Sequence, residues 1–381
     1  MVNSDFTIAT VSLYDPATGT VRDDCVHSGA MGPNMKQELG SDVTLPSQPQ
    51  HRGDLVVIDR ENATIIYLDP STCAPRLQFS VSTGGLKSNP HDVISVGADK
   101  IYVTRYEKNF TPSAAPGAFD DGDDILVVDA GTGVVKGSIV LSSQVPPGSD
   151  PTVQARPDRG VLADGKVYVT LGALGPLTPG VLTAAGPGRV VIIDPKTDEV
   201  TGTIDLPDQK GCSAIDYQQA TKKLYVSCGG SWGDGADQAK KSALVEIDIS
   251  GTTPVVARTI KAADVDGQPI NFSYAAVLSD VAFIGTLDSF PNATTGKAGS
   301  SDGFYAAALA GGAPTKLKDG GAFNLGRAAV DVAAQRVFLP DGDFTTPRVH
   351  VFDASTTPAT LATSFEANPV GHLPPREVIW Y

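Results

Sequence analysis

The residues with chemical potential gather in short polar clusters, each standing at the entry to an apolar run. They are Asn89-Pro90-His91-Asp92, Arg156-Pro157-Asp158-Arg159, Ser213, Asn271 with Tyr274, Asn324 with Arg327, and His372 with Arg376. A planar guanidinium binds a carboxylate through two parallel hydrogen bonds, so Arg159, Arg327 and Arg376 point to a small anionic ligand. His91, Asp92, Tyr274 and His372 complete that candidate ligand-binding set. The plainer alternative is that Asp92, Asp158 and Glu377 neutralise the arginines, because charges taken out of water are normally paired. A third reading makes His91 or His372 the general base of a hydrolase or lactonase-like enzyme, with arginines stabilising an oxyanion.

Other patterns point away from catalysis. Gly229-Gly230-Ser231-Trp232-Gly233 fits the Gly-x-Ser-x-Gly of serine hydrolases, but that elbow needs a following helix, and the next regular run is the strand-like 243–249. The four cysteines, Cys25, Cys73, Cys212 and Cys228, form no Cys-x-x-Cys pair, which argues against zinc, iron–sulfur or covalent haem. No catalytic residue and no cofactor is assigned. Asp120, Asp121, Asp123 and Asp124 offer the hard oxygens that calcium takes, without the twelve-residue EF-hand spacing; a solvated acidic loop is the plainer reading. The 381 residues include 29 basic against 43 acidic side chains, a net charge of −14, so neither a nucleic acid nor an anionic membrane is an expected partner. No apolar run reaches the roughly eighteen residues of a spanning helix.

The elements that must position these clusters come from a repeat. An apolar run, then Asp, then a tight turn of Pro, Ala, Ser, Thr and Gly, recurs at Asp15, Asp69, Asp129, Asp194, Asp248 and Asp353, with a degenerate copy at Ala308. The successive spacings are 54, 60, 65, 54, 60 and 45 residues, making seven copies. Asp suits the first turn position because its carboxylate accepts hydrogen bonds from amides two or three residues on. A β-branched and aromatic strand precedes most copies: Tyr102-Val103-Thr104, Tyr168-Val169-Thr170, Tyr225-Val226-Ser227.

Each unit therefore holds four short strands and no helical period, which predicts an all-β, seven-bladed β-propeller of four-stranded antiparallel blades. The expected blades are 24–82, 87–141, 149–206, 210–262, 270–317, 323–365, and a last one assembled from 366–381 plus 5–22. In that last blade the C-terminal segment supplies the innermost strand, and two outer strands come from the N-terminus. Closure of this kind leaves no exposed sheet edge. The connections from second to third strand are long (107–124, 172–188, 229–241, 286–303 and 340–347) and share one face with the blade-to-blade connections, so binding is expected there and at the channel mouth.

Runs 212–217 and 223–228 read as a hairpin that sets Cys212 opposite Cys228, within reach of a disulfide, and Cys25 with Cys73 would pair by elimination. Two reduced buried thiols are the alternative. Disulfides imply an oxidising compartment. Residues 1–20 lack a basic and then apolar leader, so an exported form would be a mature chain with its leader removed.

The Tyr-Val-Thr strands followed by the apolar-Asp-x-x-Thr-Gly turn resemble the YVTN or YncE-like seven-bladed propellers, an extracytoplasmic bacterial group. The resemblance covers the whole chain, departs from the pattern at Ala308 and in an insertion at 31–51, and specifies blades rather than a reaction. It implies a secreted, periplasmic or lipid-anchored protein. The expected role is a monomeric binding scaffold for a protein, glycan or small anionic ligand, with the hydrolase reading as the alternative.

Overall fold

The computed structural model describes residues 1–113, 115, 117–176, 184–287 and 301–380. It is a ring of seven four-stranded antiparallel sheets. Blade 1 comprises Val43–Thr44, Leu55–Asp59, Thr64–Leu68 and Pro75–Ser80; blade 2, Pro90–Ser95, Lys100–Lys108, Gly122–Asp129 and Val135–Val140. Blade 3 comprises Pro157–Ala163, Lys166–Leu171, Gly188–Asp194 and Glu199–Leu206; blade 4, Cys212–Gln218, Lys223–Gly229, Ser242–Asp248 and Val255–Lys261. Blade 5 comprises Ala276–Leu278, Val281–Thr286, Gly303–Ala308 and Thr315–Asp319; blade 6, Ala329–Asp331, Arg336–Asp341, Arg348–Asp353 and Thr360–Phe365. Blade 7 orders Pro375–Glu377, Val2–Ser4, Ala9–Asp15 and Thr20–His27, so the two chain ends share one sheet.

Two boundaries differ from the sequence reading. The N-terminus contributes three strands to blade 7, because Val2–Ser4 pairs with both Ala9–Asp15 and the C-terminal strand. Residues 20–27 finish that blade, and blade 1 begins only at Val43, since Thr20–His27 pairs in register with Ala9–Asp15.

The turn chemistry follows the repeat. Asp15, Asp69, Asp129, Asp194, Asp248 and Asp353 each accept the amide two residues on, at 2.8–3.1 Å. Where Ala308 cannot do so, Gly311 and Gly312 at positive φ complete the reversal. The hydroxyl ending the Tyr-Val-Thr strand has a second task. Thr104 donates to the Asp158 carbonyl at 2.7 Å, Thr170 to the Ser213 carbonyl, and Ser227 to the Tyr274 carbonyl at 2.7 Å. The first two bonds tie the second strand of one blade to the innermost strand of the next, and the third ties it to the residues just ahead of that strand.

Seven hydrophobic clusters fill the interfaces between neighbouring blades. Val2, Val11 and Val26 of blade 7 pack on Leu55, Val57 and Ile66 of blade 1, closing the ring on one side; Met1 and Val378 pack on Phe338 and Val351 of blade 6, closing it on the other. Cys25 and Cys73 form a disulfide between blades 7 and 1, and Cys212 and Cys228 form one within blade 4, where they face each other in register. Among the described residues, helix is limited to short 3-10 segments, and no helix is long and apolar enough to cross a membrane.

Candidate functional site

The centre of the ring is organised by a segment that the sequence reading left as plain insertion. After the two-residue strand Val43–Thr44, the chain leaves its blade and crosses the channel as residues 45–50. Arg159 of blade 3 and Arg327 at the entry to blade 6 both donate to the Leu45 carbonyl, at 2.7 and 2.8 Å. Arg159 also bonds the Thr44 hydroxyl at 2.7 Å, and Arg327 the Pro46 carbonyl at 3.0 Å. The Glu377 carboxylate of blade 7 accepts the Thr44 hydroxyl (2.7 Å) and the Leu45 amide (3.0 Å), and lies 3.9 and 3.8 Å from the two guanidiniums. Buried Asp92 accepts the amides of Ser47 and Gly160, both at 2.8 Å. Further on, Gln48 accepts the Leu162 amide and Gln50 donates to the Val93 carbonyl, fixing the strap against the innermost strands of blades 3 and 2.

The electrostatics follow from this closure. Burial pushes the Glu377 carboxyl up, but the Arg159 and Arg327 charges, with the Thr44 and Leu45 donors, outweigh it and hold the group below the usual range. Burial, with the neighbouring Arg159 charge, brings Arg327 down to about 10, so it remains protonated at neutral pH. The two arginines are therefore occupied by backbone carbonyls and by Glu377.

The other predicted residues scatter around this core. His91 bonds Asp158 through Nδ1 at 2.7 Å and stacks on Tyr106 with ring centroids 4.1 Å apart, while the Arg156 guanidinium lies 4.9 Å from the same Tyr106 ring. Tyr274 is buried between blades 5 and 6. Arg376 is turned to the rim, donating to the Ser4 carbonyl at 3.0 Å and sitting 4.7 and 5.1 Å from the rings of Phe6 and Phe344. His372 is outside altogether, its side chain 68% exposed and 2.5 Å from Glu366. The structure thus brings together Arg159, Arg327 and Asp92 around the strap with His91 alongside, and separates Arg376 and His372 from them. A histidine base facing an arginine in an open pocket is not formed among the described residues.

The acidic loop is largely engaged by protein donors. Asp124 pairs bidentately with Arg105, both wholly buried, at 2.7 Å for each contact. Asp123 accepts the amides of Ala155 and Arg156, and burial raises it to about 6. Asp120 is buried and accepts the Ser113 amide at 2.9 Å, whereas Asp121 is exposed. Around Ser231 the expected loop is instead a run of 3-10 turns, Trp232–Lys241, kinked at Gly235. The buried Ser231 hydroxyl caps it by accepting the Gly233 amide at 3.2 Å.

Two surfaces remain open. A cavity of about 590 Å³ lies below the strap, bounded at its inner end by Arg159, Arg327 and residues 47–49 and at its outer end by the first turns of blades 4 to 6, at 218–220, Ser279 and Val332. No second-to-third-strand connection lines it, so it opens on the face opposite to the one where the sequence placed the channel mouth. The second surface is the long-connection face. Of the exposed Phe and Trp side chains among the described residues, Phe6, Phe110, Trp232, Phe272 and Phe344 all lie in its connections, and only Trp380 does not. Parts of the predicted loops, at 114, 116, 177–183 and 288–300, fall outside the described residues.

No family model and no curated protein matches the chain. Its likeness is to solved structures. Kuenenia stuttgartiensis hydrazine synthase is 15% identical, covering 86% of this chain and 81% of that one, with a TM-score of 0.54. The Swd1 β-propeller domain of Myceliophteria thermophila is 10% identical, covering 90% and 89%, with a TM-score of 0.57. Apo AztD from Citrobacter koseri is 11% identical, covering 96% and 80%, with a TM-score of 0.52. At these identities the likeness carries the fold, and the chain is a seven-bladed β-propeller.

Proposed function

We propose that this chain is an extracytoplasmic, YVTN/YncE-like propeller that works as a monomeric binding scaffold, presenting its long-connection face to a protein or glycan partner. The observation that carries this reading is the placement of five exposed aromatic side chains on that one face, from blades 2, 4, 6 and 7 and from the entry to blade 5. Scattered single apolar residues are ordinary, but aromatic rings gathered on the connections of one face of a ring are the side chains that anchor interfaces. Phe6 adds weight: it sits at φ 71°, a conformation unfavourable for a bulky residue, with 74% of the residue exposed. The extracytoplasmic part rests on the two disulfides.

The test is an affinity capture from the cell envelope and culture medium of the source, comparing the natural chain with a triple variant, Phe6→Ser, Trp232→Ser and Phe344→Ser. Selective loss of captured partners from a variant that melts like the parent is the expected result; an unchanged partner set contradicts the reading.

A further inference from the structure

Asp216 lies in the innermost strand of blade 4 and faces the 590 Å³ cavity. Its carboxylate accepts one hydrogen bond, from the adjacent Tyr217 amide at 2.8 Å, and no other hydrogen bond or ion pair to it is present among the described residues. Burial raises its pKa, with the Arg327 charge only partly opposing. Arg327 makes no hydrogen bond or ion pair to it and instead directs its terminal nitrogens at the Leu45 and Pro46 carbonyls, with Glu377 3.8 Å away. The charge balance around the strap leaves a negative excess. The carboxyl groups of Asp92, Asp158, Glu377 and Asp216 outnumber the guanidiniums of Arg159 and Arg327 there.

Arg159 and Arg327 close the inner end and serine and glutamine side chains stand at the rims; between them the walls are apolar, with Ile215, Val277, Val330 and Ile379 among the lining. Trp380 stands at the cavity with 38% of its surface exposed, its ring stacked on Phe338 at 5.7 Å. A concave, mostly apolar pocket of this volume with a few polar groups is the usual form of a small-molecule site. A lone carboxylate in such a pocket, next to an indole, selects positive charge: the carboxylate gains the counter-ion it lacks, and the indole face attracts a cation.

We propose that the channel cavity binds a small organic cation, an amine or guanidine on an apolar body, with Asp216 as its counter-ion and Trp380 flanking the apolar part. This site opens on the face opposite to the aromatic-bearing connections, so its failure leaves the scaffold reading standing, and the reverse holds as well.

The test is isothermal titration of the whole chain with phenethylamine, phenethyl alcohol and phenylacetate, three probes that share one body and differ in charge. Saturable binding of phenethylamine is expected, at least about tenfold tighter than the alcohol, with no binding of phenylacetate; a tenfold difference corresponds to about 1.4 kcal/mol. Asp216→Asn, which keeps the side-chain shape, lowers phenethylamine affinity by at least about tenfold, and Ala329→Trp, which fills the cavity from the blade 6 wall, abolishes binding. The chain has two tryptophans, so in a Trp232→Phe background phenethylamine changes the fluorescence of Trp380 alone. The proposal is overturned by absence of saturable amine binding up to about 10 mM, a threshold near the weakest useful affinities. Equal affinity for the alcohol, or affinity unchanged in Asp216→Asn, also overturns it. Preferential binding of phenylacetate overturns it in favour of an anion site at the arginines. Should Asp216→Asn not fold, the Ala329→Trp and Trp380 fluorescence arms decide the question alone.

Discussion

At the scale of single residues, the six turn aspartates do the same work in six of the seven blades. Amide and hydroxyl donors in the turns hold the carboxyls of Asp15, Asp69, Asp129, Asp248 and Asp353 below their ordinary range, with Arg76 assisting at Asp69, and at Asp194 the Lys166 ammonium does so first, followed by the Lys196 amide. A folded-state pKa that is depressed contributes stability above the unfolded value, near 4, and that contribution is lost as pH falls through the folded value. Asp123 acts in the opposite sense. Burial raises it to about 6, so its contribution is fully present only in acid and is lost as pH rises from about 4 to about 6. The prediction is a melting temperature that holds or rises slightly on acidification from about pH 6 to 4 and then falls steeply below about 4. A monotonic rise below that point would contradict the role given to the turns.

At the scale of elements, the Thr and Ser closing three second strands are links between blades rather than decoration of a strand. Replacing Thr170 by the isosteric Val removes the donor to the Ser213 carbonyl and leaves that buried acceptor bare. The expected cost is about 1–3 kcal/mol in denaturant unfolding, with the fold retained. The same exchange at exposed Thr201 is expected to change stability by less than about 0.5 kcal/mol.

Much of this was legible beforehand. Alternation gave the strands, the turn Asp gave the repeat, and the hairpin 212–228 gave one disulfide pairing. The strap was not legible, because Val43–Thr44 pairs over only two residues and the stretch that follows, Pro46-Ser47-Gln48-Pro49-Gln50, has no period of its own. Its course is set by Arg159, Arg327, Asp92 and Glu377 from four other blades, which no local pattern reveals. Arg376 and His372 failed to join the centre for a related reason: their side chains find Ser4, Phe6, Phe344 and Glu366 nearer than the axis.

At the scale of the whole molecule, the three-plus-one closure of blade 7 makes a ring in which the two central arginines are engaged by Glu377 and by the strap carbonyls. What remains for recognition is the periphery of one face and the cavity behind the other. The second-to-third-strand connections vary in length from blade to blade while the turns opposite stay short in blades 2 to 7, with the strap of blade 1 as the exception, so most variation falls on the face that carries Phe6, Phe110, Trp232, Phe272 and Phe344. The closest test of that asymmetry is photo-crosslinking in the native cell, with benzoylphenylalanine in place of Phe344 on the long-connection face or of exposed Val332 on the opposite one. The account predicts a discrete crosslinked species from position 344 and none from 332; crosslinking from 332 alone, or from neither position, would contradict it.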